Sequence, residues 1–212
     1  MSVWHAMRIT ASHTPNRNSY TAALKAMGRG GEHRQAIETF EMMERKGINP
    51  DRWSFATVIS SCCEAGDMMQ AERLFREMAD YGILPDATVF TALMKGYGRK
   101  NQLQKVLSIM DDLDQAGLVA DAHTVSAIVD AYVECGLVEE AEALIGKGGR
   151  YHSLSSPQAM SSVMKGWAKR GDDQKATELL GAAEKQGVKM DAPMYNTAIS
   201  ALLSKGVLNP KP

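Results

Sequence analysis

The stretch GINPDRWSF occupies residues 47–55, GILPDATVF residues 82–90 and GLVADAHTV residues 117–125, each thirty-five places after the last. Each opens on a glycine, passes through an apolar residue and reaches Asp51, Asp86 or Asp121 just before a new apolar run. Glycine tolerates the left-handed conformation that ends a helix. Proline prefers the extended backbone between helices, and aspartate is a strong N-cap for the helix that follows. One helix therefore stops and another starts at the same place in each period.

With Arg17 as position 1, units of 35 residues start at Arg17, Arg52, Ala87, Ala122, Pro157 and Ala192. Position 15 reads Gly31, Gly66, Asn101, Gly136, Gly171 and Gly206, a second helix stop in each unit. Each unit is thus two helices of about a dozen residues joined by a turn. Position 4 carries Tyr20, Phe55, Phe90, Val125, Met160 and Tyr195, and position 8 carries Leu24, Ile59, Met94, Val129, Met164 and Ile199. Position 11 carries Met27, Cys62, Tyr97, Tyr132, Trp167 and Leu202, completing an apolar stripe along the first helix. The second helix has Ala36, Ala71, Val106, Ala141 and Ala176 at position 20, small enough for close helix approach. A lone helical hairpin cannot bury both faces, so neighbours must stack. The expected fold is all-α, a right-handed α-solenoid of stacked helix-turn-helix repeats.

The array spans residues 17–206, with repeats at 17–51, 52–86, 87–121, 122–156 and 157–191 and a half-repeat at 192–206. Residues 1–16 read as a degenerate remnant of a preceding repeat or a leader, and 207–212 as a tail. Both ends look cut from a longer array. In the fourth repeat, IGKGGRYHSLSS (residues 145–156) puts three glycines where the second helix should finish. Each costs a helix about 1 kcal/mol relative to alanine, so that helix should be short.

The chain has 212 residues, 44% of them hydrophobic and 23% charged, with a net charge of −1. That balance gives no global attraction to nucleic acid, so a basic surface must be made locally. No apolar run is long enough to span a membrane. Three cysteines without a CxxC spacing fit a reducing compartment rather than a disulfide framework. No acidic residue precedes Glu32, as in organelle transit peptides, yet the repeat begins at Arg17 and leaves too little for a complete one.

The aromatic at position 4, the glycine at 15 and AERLFREMADYGILPD (residues 71–86) resemble the pentatricopeptide-repeat family over nearly the whole chain. Tetratricopeptide repeats, with a period of about 34 residues, do not fit the frame. The resemblance implies sequence-specific binding of single-stranded RNA, one base per repeat, usually in a mitochondrion or chloroplast. It assigns base reading to positions 5 and 35 and base packing to position 2. The implied pairs are Thr21 with Asp51, Ala56 with Asp86, Thr91 with Asp121, Ser126 with Ser156, and Ser161 with Asp191, leaving Asn196 alone. By the same resemblance a hydroxyl with aspartate means guanine, and the site reads 5′-GNGNG-3′. Cofactors are not implied, and the partners expected are single-stranded RNA and RNA-processing or ribosomal proteins, bound by a monomer with no membrane role.

Helix geometry gives independent support. At 100° per residue, positions 2, 5, 9 and 13 share an arc of roughly 140°, apart from the apolar stripe. A carboxylate only accepts hydrogen bonds, which suits bases with N–H on the pairing edge, guanine or uracil. Lys25, Arg29, Lys95, Arg99, Lys165 and Lys169 occupy positions 9 and 13 of the first, third and fifth repeats and are candidates for phosphate contact. An alternative is a ladder of ion pairs with the acidic residues at position 13 of the other repeats, such as Glu64 and Glu134. Trp53 and His123 at position 2 could stack on bases, or Trp53 could cover the joint between repeats. The position-35 aspartates could act as helix caps, a role compatible with base reading. The five histidines make no metal-binding spacing, and no GxxxxGK[ST] loop is present, so no catalytic activity is expected. A protein-binding scaffold is the alternative function.

Overall fold

The computed structural model describes residues 15–185, 192, 194–196 and 199. Among these the secondary structure is helical. The helices are α1 (Arg17–Arg29), α2 (His33–Arg45), α3 (Arg52–Ala65), α4 (Met68–Asp80), α5 (Ala87–Arg99) and α6 (Leu103–Gln115), then α7 (Ala122–Glu134), α8 (Val138–Ile145), α9 (Pro157–Lys169) and α10 (Asp173–Lys185). First helices begin at Arg17, Arg52, Ala87, Ala122 and Pro157, where the repeat frame starts them. The fold is an all-α array of tandem helical hairpins.

Local chemistry sets the boundaries. Gly31, Gly66, Gly136 and Gly171 all have φ between 70° and 80°, and Asn101, which replaces glycine at that place, has φ 59°. Asparagine is the other residue that enters this region at low cost. Gly47, Gly82 and Gly117 close the second helices in the same conformation.

The chain divides into two compact units, one up to Gly96 and one from Tyr97 onward, with α5 contributing to both. In the N-terminal unit the α1–α2 hairpin stacks on the α3–α4 hairpin. Tyr20, Leu24, Met27, Ala36 and Phe40 are buried in the first, and Phe55, Ile59, Cys62, Ala71 and Leu74 in the second. Phe40 meets Phe55 edge-on at 5.0 Å between ring centres, and Phe55 meets Tyr81 at 5.5 Å. Burial pushes the Cys62 thiol up to about 12, in keeping with a packing role.

In the C-terminal unit α7 packs against α8 and α9, and α9 against α10. Val125, Val129, Ala141, Met164 and Trp167 are buried there. The Trp167 indole donates to Glu142 Oε2 at 2.9 Å, and Lys175 Nζ lies 3.8 Å from the ring centre. As the glycines predict, α8 stops after 8 residues. Tyr151 fills the space its last turns would occupy: its N–H donates to the Leu144 carbonyl at 2.9 Å and the side chain is buried. Arg150 reaches back to Asp114 at 2.5 Å and lies over the Tyr151 ring at 5.2 Å. Among the described residues of the half-repeat, Tyr195 and Ile199, expected in the apolar stripe, are exposed, while Met194 is buried against Met164 and Ala183. Residues 1–14 of the remnant read at 1–16, and the tail 207–212, lie outside the described residues.

Candidate nucleic-acid interface

The candidate interface lies at the N-terminal ends of the first helices, where position 35 of a repeat, the cap of the helix that follows, lies beside position 5 of the same repeat in the first and fourth repeats. In the N-terminal unit Asp51 caps α3. Its Oδ1 accepts the Ser54 backbone N–H at 2.8 Å and the Ser54 hydroxyl at 2.8 Å. The other oxygen, Oδ2, lies 3.4 Å from the Thr21 hydroxyl, which also sits 3.1 Å from Ser54 Oγ. Two residues thirty apart in sequence, predicted to form a pair, are thus side by side. Capping and pairing use different oxygens of the same carboxylate.

Asp86 takes the corresponding place before α5, accepting the Val89 N–H at 3.2 Å. Its predicted partner Ala56 is buried and offers only a methyl group. Ala56 lines a groove of about 400 Å³ together with Lys25, Arg29, Trp53, Ser60 and Glu64. These are positions 5, 9, 13, 2, 9 and 13 of the first two repeats, converging on one surface. Trp53 is 65% exposed and lines this groove. The Lys25 ammonium lies over that ring, 5.3 Å from its centre, an attraction of about 0.5–1 kcal/mol at an exposed site.

The ladder of ion pairs does not form at its first rung. Glu64 lies instead beside the His33 imidazole, carried on α2 of the first repeat, with Nε2 at 3.3 Å. Among the described residues Arg29 forms no salt bridge, and it is exposed at the groove. Lys95, also predicted to contact phosphate, is exposed on α5 in this unit, and Thr91 is half-buried there.

In the C-terminal unit Ser126 and Ser156 place their hydroxyl oxygens 2.9 Å apart, and Ser156 Oγ accepts the Ala159 N–H at 3.1 Å. The glycine-rich segment therefore leaves this pair intact. Asp121 caps α7, its Oδ1 accepting the Thr124 N–H at 2.8 Å and the Thr124 hydroxyl at 2.9 Å. Those two bonds hold its carboxyl below the usual carboxylate range, the backbone donor contributing most. His123, Arg99, Lys165 and Lys169 are exposed. Asp130 accepts the Ser162 hydroxyl, so its charge is partly engaged. Ser161 is buried, and among the described residues its hydroxyl finds no hydrogen-bond partner. Its predicted partner Asp191 lies outside the described residues, while Asn196 is exposed.

Sequence reasoning missed Ser54 and Thr124, the hydroxyl residues at position 3. The signal was available, since a Ser or Thr three residues after a capping aspartate places a hydroxyl donor beside the carboxylate, next to the backbone N–H that the cap accepts. Among the described residues no group of three or more His, Cys, Asp or Glu could hold a metal. No described helix is long and apolar enough to cross a membrane.

A family model for pentatricopeptide repeat-containing proteins matches residues 19–146. Among solved structures, the pentatricopeptide repeat protein PPR10 from maize is similar with a TM-score of 0.74 at 22% identity, over 97% of this chain and 30% of that one. PPR10 in complex with an 18-nucleotide psaJ RNA element is similar at 0.65 and 19% identity, over 94% and 34%. The PPR domain of the Arabidopsis thaliana protein-only RNase P 1, in complex with tRNA, gives 0.65 at 9% identity, over 88% and 98%. The chain spans about a third of the length of PPR10. No curated protein matches the sequence.

Proposed function

This chain belongs to the pentatricopeptide-repeat family, and from that premise we propose that it binds single-stranded RNA and reads it one base per repeat. The observation that carries the reading is the meeting of Thr21 and Asp51 beside a groove that also holds Lys25, Arg29 and Trp53. A base entering there finds acceptors for its edge, a ring for its face and cations for its phosphate. The RNA-bound structures of similar fold support the same class of ligand.

Guanine is the base the first pair suits best. The Ser54 hydroxyl donates to Asp51 Oδ1, so the Thr21 O–H turns toward Ser54 Oγ or Asp51 Oδ2 and leaves lone pairs outward. Asp51 Oδ2 and Thr21 Oγ1 then form two adjacent acceptors. The pairing edge of guanine carries two adjacent N–H donors, whereas the other three bases carry a single donor group there. The pairs Thr91 with Asp121 and Ser161 with Asp191 carry the same residue types, so the chain reads 5′-GNGNG-3′. The protein performs no chemistry. It acts on an organellar transcript by covering or exposing a site for processing, stability or translation.

Fluorescence anisotropy with a labelled RNA containing GNGNG, against oligo-A of equal length at two salt concentrations, tests this. Tighter binding to the G-patterned RNA that weakens with salt is expected, since each phosphate neutralised releases counterions. Equal or absent binding would overturn it and turn attention to a protein partner.

A further inference from the structure

Asp51 and Asp121 share an arrangement that Asp86 lacks. In the first two, Oδ1 accepts both the backbone N–H and the side-chain hydroxyl of the residue three places on, at 2.8 and 2.8 Å from Ser54 and at 2.8 and 2.9 Å from Thr124. At Asp86 the corresponding residue is Val89, which has no side-chain donor, and Oδ1 accepts its backbone N–H at 3.2 Å. A carboxylate oxygen has two lone pairs, so Oδ1 of Asp51 and of Asp121 is saturated. The carboxylate is pinned at both contacts, and Oδ2 keeps the acceptor capacity that a ligand could use.

Ser54 and Thr124 are fully buried, so neither can touch RNA. Their effect must pass through the aspartate. For Ser54 it also passes through Thr21, whose hydroxyl lies 3.1 Å from Ser54 Oγ. One buried hydroxyl thus orients both members of the first base-reading pair. Removing it frees Asp51 to rotate about its terminal torsion, which is broad for a carboxylate. It also frees the Thr21 O–H to point outward as a donor, which suits bases that carry acceptors on their edge.

We infer that Ser54 and Thr124 are positioning residues for base discrimination, holding Asp51 and Asp121 so that a single carboxylate oxygen meets the base. The inference rests on the RNA-reading function proposed above. It predicts sharper discrimination at the base facing Thr21 and Asp51 than at the base facing Ala56 and Asp86. A hydroxyl at position 3 would then matter for specificity, beyond its contribution to the helix cap.

The test is anisotropy with four RNAs that differ at the first base of GNGNG, and four that differ at the second. The intact chain should prefer guanine at the first base. Ser54→Ala should reduce that preference about fivefold to tenfold, as expected for a charged acceptor that loses its orientation, while preferences at the other bases stay unchanged. Ser54→Thr should restore it. Val89→Thr, which places a hydroxyl beside Asp86, should raise discrimination at the second base several-fold, and it keeps the question open to measurement if Ser54→Ala fails to fold. An unchanged first-base preference in Ser54→Ala, with only a lower melting temperature, would reduce the hydroxyl to a cap and overturn the inference while RNA reading stands. Absence of any base preference in the intact chain would instead remove the reading itself, and the inference with it.

Discussion

Ser126 and Ser156 stand thirty residues apart in sequence with their hydroxyl oxygens 2.9 Å apart, although three glycines interrupt the helix between them. The pair occupies the place that Thr21 and Asp51 hold in the first repeat. What differs is the charge, since Ser156 caps α9 with a neutral oxygen. Ser156→Asp should keep the cap, because aspartate and serine are comparable there. It should also introduce preference for guanine at the fourth base, by about 1.5 kcal/mol for a hydrogen bond to a charged group. Anisotropy with RNAs varied at that base, beside a thermal melt, would check both halves.

Asp51 has two roles on two oxygens, and they can be separated. Asp51→Asn retains an N-cap of similar strength, so stability should stay within about 0.5 kcal/mol. Its amide adds donors where guanine also donates, so the first-base preference for guanine should fall. Asp51→Ala should lose that preference as well, together with about 1 kcal/mol of stability from the missing cap. Urea unfolding and RNA titration of both variants give the comparison.

Trp53 is largely exposed and touches Lys25 through its ring face. Trp53→Ala should therefore weaken RNA binding by about 1–3 kcal/mol, the contribution of one stacked base. Unfolding stability should change by no more than about 0.5 kcal/mol, as for most surface positions. A large loss of stability with unchanged RNA affinity would assign Trp53 to the joint between repeats.

Gly98 is a packing glycine. A Cβ there would lie 2.7 Å from both Cα and Cβ of Ala131, and the Cα belongs to the backbone and cannot move aside. Gly98→Ala should therefore destabilise the chain by about 1–3 kcal/mol from overpacking. That outweighs a helix-propensity gain of about 1 kcal/mol. Equilibrium unfolding in urea measures the balance.

Glu44 provides a pH dependence of stability. Burial, then the hydrogen bond and charge of Glu77, push its carboxyl up to about 7, while Arg73 and Tyr81 act against the rise. The folded chain then holds a proton that the unfolded chain releases near 4.5. Linkage makes this contribution full below pH 4.5 and progressively lost as pH rises toward 7. Glu44→Gln should flatten that slope and raise the melting temperature at pH 7.5. A melting temperature that is flat between pH 5 and 7.5 in the unsubstituted chain would count against the carboxyl pair.

Much of the fold is legible in the sequence because its signals are local. A capping aspartate, a glycine or Asn101 in the left-handed region, and an apolar stripe at positions 4, 8 and 11 each act within a turn or two of helix. Repetition every 35 residues then multiplies each weak signal, so the helix starts at Arg52, Ala87, Ala122 and Pro157 could be read directly. The pairing of Thr21 with Asp51 came from the family resemblance, and its helix face from simple geometry.

Other features depend on distances between side chains of neighbouring repeats, and only the tertiary structure decided them. Glu64 lies beside the His33 imidazole carried on α2, with Nε2 at 3.3 Å. Lys25 rests on Trp53, and Met194 rather than Tyr195 is buried. The partition of the Asp51 oxygens between Ser54 and Thr21 arises where the α3 cap meets α1 across the stack. A period places residues on faces, but contacts a few ångströms long require the packed chain.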